Sequence, residues 1–197
     1  MTRPVLYFVR HGETAWNAEG RLQGQRDTPL NARGVAQAGE AGRRLGYLVG
    51  EARAGLAYVA SPLERTRRTM EGLRTALGLD PAAYDTDPRL VEIGFGAWEG
   101  RTWSDLRRDD PGRMAERDRD RWHYRPPGDE AESYEMVLAR IRPVLDGLAG
   151  PAVMVAHGGV ARAVMVGLGL VTREEAPRLE ILQGRVLVLD GEGRRWA

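Results

Sequence analysis

Three short runs in the chain are apolar at every position: Val5-Leu6-Tyr7-Phe8-Val9, Leu56-Ala57-Tyr58-Val59-Ala60 and Ala152-Val153-Met154-Val155-Ala156. A strand with one wet face alternates apolar and polar residues, so unbroken runs predict strands covered on both faces. Each run stops at a polar residue that opens a turn or helix: Arg10-His11-Gly12, Ser61-Pro62 and His157-Gly158-Gly159. This pattern predicts an α/β fold, a single three-layer α/β/α domain over residues 1–197 with a mostly parallel central sheet. Ligands of such sheets lie beyond the carboxyl ends of the strands, where these polar residues stand.

Helical stretches separate the runs. Asn31 to about Val49 places Val35, Ala38, Gly42, Leu45 and Leu48 on one predicted stripe. Ser61 is expected to cap, and Pro62 to begin, a helix reaching Leu77 before Gly78. Glu130 or Glu132 through Leu148 predicts another helix, with Pro143 inside it, and Val160–Leu168 a short buried one. Two terminal strands are expected, Arg178–Leu182 and Arg185–Asp190, as a hairpin or sheet edge. Residues 107–125 alternate in charge. They read either as a solvated helix laced with ion pairs or as part of a lid, with Trp122, His123 and Tyr124 shaping a pocket.

Composition removes several chemistries. A formal net charge of +1 gives no bulk cationic field for nucleic acid or acidic membranes. With no cysteine there is no disulfide, thiolate nucleophile or cysteine metal site. All 29 basic side chains are arginine, so a P-loop lysine, a kinase lysine and a Schiff-base lysine are excluded. No stretch approaches the roughly 18 apolar residues of a membrane span, and the run at residues 5–9 is too short for a signal-peptide core. The cytoplasm is the expected location.

Two of the three histidines, His11 and His157, stand at strand ends that share one rim if the strands are parallel. Gly12 lets backbone approach a ligand, Arg10 and Arg65 bring charge-assisted donors, and Asn17 adds an amide. Taken alone, His11 also reads as structural and Arg65 as a surface ion pair. The histidine pair could instead ligate a metal with Glu92 or Glu13, although no third histidine or cysteine presents itself. Arg125 could meet a second anionic group or pair with Asp129, Glu130 or Glu132.

In Arg10-His11-Gly12-Glu13-Thr14, Trp16-Asn17, Gln23-Gly24, Asp27, Pro29-Leu30 and Gly34, the chain resembles the histidine phosphatase superfamily, also called phosphoglycerate mutase-like. The resemblance continues through Ser61-Pro62-Leu63, Arg65-Thr66, Leu90-Val91-Glu92-Ile93, Gly96, Trp98-Glu99-Gly100 and His157-Gly158-Gly159, in the expected order. It implies that His11 accepts the phosphoryl group, that Arg10, Arg65 and His157 hold its oxygens, and that Glu92 is the proton donor. Asn17, Gln23, Gly24 and Gly158 would line the substrate pocket. The implied activity is metal-independent phosphomonoester hydrolysis of the histidine acid phosphatase kind, with no cofactor. Its substrate would be a phosphorylated small molecule, and the partner a possible second copy. The compact acid-bearing segment is similar to the phosphatase branch. Phosphoglycerate mutase-type transfer and non-catalytic phosphate recognition are the alternatives.

Overall fold

The computed structural model describes residues 4–197; residues 1–3, which the expected domain includes, lie outside it. Six strands form one sheet: β1 (Leu6–Arg10), β2 (Ala57–Ala60), β3 (Asp85–Thr86), β4 (Ala152–Ala156), β5 (Leu187–Asp190) and β6 (Gly193–Trp196). Their spatial order is β3-β2-β4-β1-β5-β6. The first four run parallel, and β5 and β6 are antiparallel additions at one edge. The three apolar runs are thus the central strands, and every residue of β4 is buried.

Side chains alternate between the sheet faces, and each face is covered by helices. Val9, Val153 and Val155 meet α2 (Ala32–Val49) and α3 (Glu64–Ala76). Phe8, Met154 and Ala156 meet α6 (Tyr134–Asp146) and α7 (Gly158–Gly167). Three short helices lie outside these layers: α1 (Ala15–Ala18), α4 (Trp103–Asp109) and α5 (Pro111–Arg119). Leu22, Trp98, Leu106 and Met114 pack α4 and α5 into a satellite core. Among the described residues no helix is long and apolar enough to cross a membrane.

Several elements begin, end or pair differently from the sequence expectation. On α2 the buried stripe is Gly34, Ala38, Ala41, Gly42 and Leu45, whereas Val35 and Leu48 are exposed. Small residues, not branched ones, let α2 approach α3. Ser61 does not cap α3, whose N-cap is Leu63 without a side-chain bond. The third long helix starts later than expected, because Ser133 accepts the Met136 N–H and ends the preceding turn. Residues 107–125 hold two helices, since Pro111 lacks an N–H and Asp110 caps the second one. The expected strand at 178–182 is absent: Leu179 and Ile181 give their carbonyls to Arg162 and Arg10. The hairpin is β5 with β6, turning at residues 191–192.

Candidate active site

The sheet ladder continues past the strand ends. His11 N–H donates to Ala156 O at 2.9 Å and Ser61 N–H to Val155 O at 3.0 Å. His11, Ser61 and His157 are therefore adjacent rungs on one rim. The His11 and His157 rings lie 5.2 Å apart, and both are almost wholly buried. His11 Nδ1 sits 2.7 Å from Gly12 O. A carbonyl only accepts, so Nδ1 carries the proton and Nε2 keeps its lone pair.

Arg10 and Arg65 line the same cleft as His11. Arg65 has 0% exposure and is braced by the carbonyls of Arg26 (2.7 Å) and Gly24 (2.8 Å). Arg10 donates to Ile181 O at 2.9 Å. Arg10 Nε, Arg65 Nε and His157 Nδ1 are buried without a hydrogen-bond partner among the described residues. Such atoms are rare in native proteins, and each costs about 1–3 kcal/mol until an acceptor arrives. The two guanidinium N–H groups can only donate and, with His157 Nδ1 in its protonated tautomer, they suit a ligand that has only acceptors, such as a tetrahedral oxyanion.

Burial pushes the pKa of both imidazoles well below the ordinary 6.5, and Arg65 and Arg10 push the same way. Burial also brings Arg10 down to about 10, which leaves it charged at neutral pH. The two imidazoles are thus neutral in the fold, while the unfolded chain titrates near its ordinary value. Below about pH 6.5 the unfolded chain binds protons that the fold refuses, so stability falls on acidification by at most about 1.4 kcal/mol per pH unit per histidine. We expect Tm to drop between about pH 7 and 5.5, and His157→Gln to make that drop shallower in thermal unfolding. An unaltered pH dependence in the variant would contradict neutral burial of His157.

Glu92 enters the cleft from the loop after β3. Its Oε1 accepts the N–H of Ile93 at 2.9 Å and that of Gly159, in the first turn of α7, at 3.0 Å. The loop backbone is clamped from outside. Arg140 on α6 donates to the carbonyls of Arg89, Val91 (2.8 Å) and Glu92 (3.2 Å), and pairs with Glu132 at 2.8 Å. Gln25 Nε2 also donates to Glu92 O, at 3.2 Å. Sequence reasoning missed Arg140, Glu132 and Gln25, which carry no local signal. It missed too that the Ser61 hydroxyl lies 2.8 Å from His157 Nε2.

The other expected residues divide. Asn17, Gln23, Gly24 and Gly158 line the cleft. Asn17 Oδ1 is taken by Thr14 and Gln183, leaving its amide N–H groups available. Gln23 accepts from the Thr14 hydroxyl at 2.9 Å and from Thr28. Gly24 has φ +53, a left-handed turn that aims its carbonyl at Arg65. Tyr124 lines the cleft, but Trp122 lies in the core stacked on Tyr134, and exposed His123 pairs with Asp120. Among the described residues Arg125 pairs with none of Asp129, Glu130 and Glu132. It donates to the carbonyls of Ala131 and Asp129, both at 2.7 Å, and so braces its own turn. Glu13 pairs with Arg33 and Asn31 instead of approaching the histidines. Among the described residues no three His, Asp or Glu side chains are grouped to hold a metal ion.

The model of the histidine phosphatase superfamily, branch 1, matches residues 6–197. A "Probable phosphoglycerate mutase GpmB" of Salmonella paratyphi B is 33% identical over 196 residues, covering 97% of this chain and 86% of that protein. A mycobacterial glucosyl-3-phosphoglycerate phosphatase structure is similar with a TM-score of 0.79 at 31% identity, covering 98% and 96% of the two chains. TTHB049 from Thermus thermophilus is 38% identical, with a TM-score of 0.71 and coverages of 96% and 95%. The match to branch 1 corrects the acid-phosphatase expectation, which names a different branch.

Proposed function

The chain belongs to the histidine phosphatase superfamily, branch 1, and on that premise we propose that it hydrolyses phosphomonoesters of small molecules in the cytoplasm through a phosphohistidine on His11. The observation that carries this reading is the set of three buried, unpartnered nitrogens, Arg10 Nε, Arg65 Nε and His157 Nδ1, around a ring whose Nδ1 is held by Gly12 O so that Nε2 faces the cleft as a nucleophile.

Nε2 of His11 attacks phosphorus in line, and the bond from phosphorus to the ester oxygen breaks. The two guanidiniums and His157 stabilise the equatorial oxygens, preorganised by the carbonyls and hydroxyl that hold them. If the Ser61 hydroxyl donates to His157 Nε2, the ring proton stands on Nδ1, where it can serve as a donor. Glu92 gives its proton to the leaving oxygen, then takes one from the water that attacks the phosphohistidine. Phosphate leaves and His11 regains its starting form. The arginines supply the positive charge that metal ions supply in many other phosphoryl transfers.

A Cβ on Gly159 would stand 2.4 Å from Glu92 Oε1 and 2.7 Å from Ile93 Cγ2. Gly159→Ala is therefore expected to displace the acid and lower kcat on alkyl phosphates roughly 10- to 100-fold. Inhibition by inorganic phosphate should change little, because the arginines stay in place. Steady-state kinetics with phosphate as inhibitor reads both quantities, and wild-type kcat would contradict the role given to Glu92.

The mutase reading is favoured by the name of the Salmonella relative. The deciding experiment incubates wild-type protein with p-nitrophenyl phosphate and a chelator, without bisphosphoglycerate. Sustained phosphate release is the expected result. Isomerisation of phosphoglycerate only with that primer would favour the mutase, and binding without either reaction would favour phosphate recognition.

A further inference from the structure

Resting on the phosphatase reading of the same cleft, we infer that Arg140 on α6, paired with Glu132, is a positioning residue for the proton donor. The pair grips the backbone that carries Glu92 and thereby sets how fast the leaving oxygen is protonated. Residues 91–95 belong to no helix or strand, so their backbone groups must find partners outside the segment. Arg140 supplies them. Its Nη1 donates to Arg89 O, and its Nη2 to Val91 O at 2.8 Å and Glu92 O at 3.2 Å. Glu132 holds the guanidinium by two bonds, Nε to Oε1 at 2.8 Å and Nη2 to Oε2 at 3.0 Å.

The grip continues on the far side of Glu92. Glu132 Oε2 accepts the Gly94 N–H at 3.1 Å, and the Glu132 N–H donates to Gly94 O at 2.9 Å. A Cβ on Gly94 would stand 2.1 Å from Glu130 O, so the two backbones lie flush. The side chains of Arg140 and Glu132 are only 19% and 14% exposed, and a planar guanidinium fork suits this bidentate pairing. Both belong to one stiff piece: Glu132 directly precedes the N-cap Ser133, and Arg140 stands about two turns into α6. The Glu92 carboxyl, by contrast, is anchored by the N–H groups of Ile93 and Gly159, and the first of these moves with the loop. A loop shift of about 1 Å would therefore carry the acid off its line, a displacement that commonly costs on the order of 100-fold in rate. Among the described residues neither Arg140 nor Glu132 bonds to Arg10, His11, Arg65 or His157. The lowered pKa of His157 comes first from burial, then from Arg65, His11 and Arg10, with Arg140 last. The pair thus bears on the acid much more than on the phosphoryl pocket.

The test uses the full-length protein with Arg140→Lys or Glu132→Gln, each alone and each combined with Glu92→Gln. It reads single-turnover alcohol release from n-propyl phosphate and from p-nitrophenyl phosphate. Lysine keeps the charge but cannot fork between a carboxylate and three carbonyls. Glu132→Gln keeps an acceptor for the Gly94 N–H and serves as the second variant should Arg140→Lys fail to fold. Each single variant should slow propanol release roughly 10- to 100-fold and nitrophenol release by less than about threefold, since only the alkoxide needs the proton. In the Glu92→Gln background neither substitution should slow propanol release further, because the proton it positions is already gone. Equal losses on the two esters, losses that add to that of Glu92→Gln, or wild-type rates in both single variants would overturn the positioning role. Release of neither alcohol by the wild type would overturn the phosphatase reading itself, and this role with it.

Discussion

Replacing His11 with alanine is expected to abolish phosphate release, by a factor on the order of 10⁴ or more, as loss of a catalytic nucleophile does in other enzymes. No second nucleophile stands by. The chain has no cysteine or lysine, and the neighbouring Ser61 hydroxyl and His157 Nε2 are engaged with each other. The anion donors Arg10 and Arg65 do not lean on the His11 ring for their bracing, so the variant should still bind inorganic phosphate. It should not form the acid-labile covalent phosphate that the wild type is expected to form with a labelled substrate. Full turnover in a purified, folded His11→Ala protein would move the nucleophile elsewhere and end this mechanism.

Glu92→Gln carries the second large expectation. Glutamine retains a side-chain oxygen able to accept the N–H groups of Ile93 and Gly159, so the loop should keep its place. What it lacks is a carboxyl proton. An alkoxide leaves poorly without one, whereas a nitrophenolate leaves unaided. The phosphorylation step should therefore slow about 10²- to 10⁴-fold on an alkyl phosphate and far less on an aryl phosphate. In the proposed mechanism Glu92 also activates water, so the aryl substrate should give a burst of nitrophenol followed by slow turnover. Equal losses on both substrates in single-turnover measurements would remove Glu92 from the proton-donor role.

The sequence made the centre of the sheet legible because burial on both faces leaves a compositional mark. Val5–Val9, Leu56–Ala60 and Ala152–Ala156 have no polar position. The rim followed from their ends, so the proximity of His11 and His157 was readable from topology alone. The edge strands were not. Whether residues 178–182 pair as a strand depends on Arg162 and Arg10 competing for their carbonyls, and those arginines come from distant positions. The clamp on the acid loop was equally hidden. Arg140 lies in a helix among other charged residues, and nothing in its neighbours marks it apart from a solvated arginine. Arg125 shows the converse error: a cation beside three acids invites an ion pair, yet its turn offers two carbonyls nearer to hand.

The hydrogen bonds from the His11 N–H to Ala156 O and from the Ser61 N–H to Val155 O are also rungs between the innermost strands. Opening them means parting β1 and β2 from β4, an event that belongs to global unfolding and not to the fraying of a loop. The backbone amide of His11 is thus expected to exchange on the slow timescale of the central strands. The anchorage of the residue that carries the ring is then lost only when those strands separate.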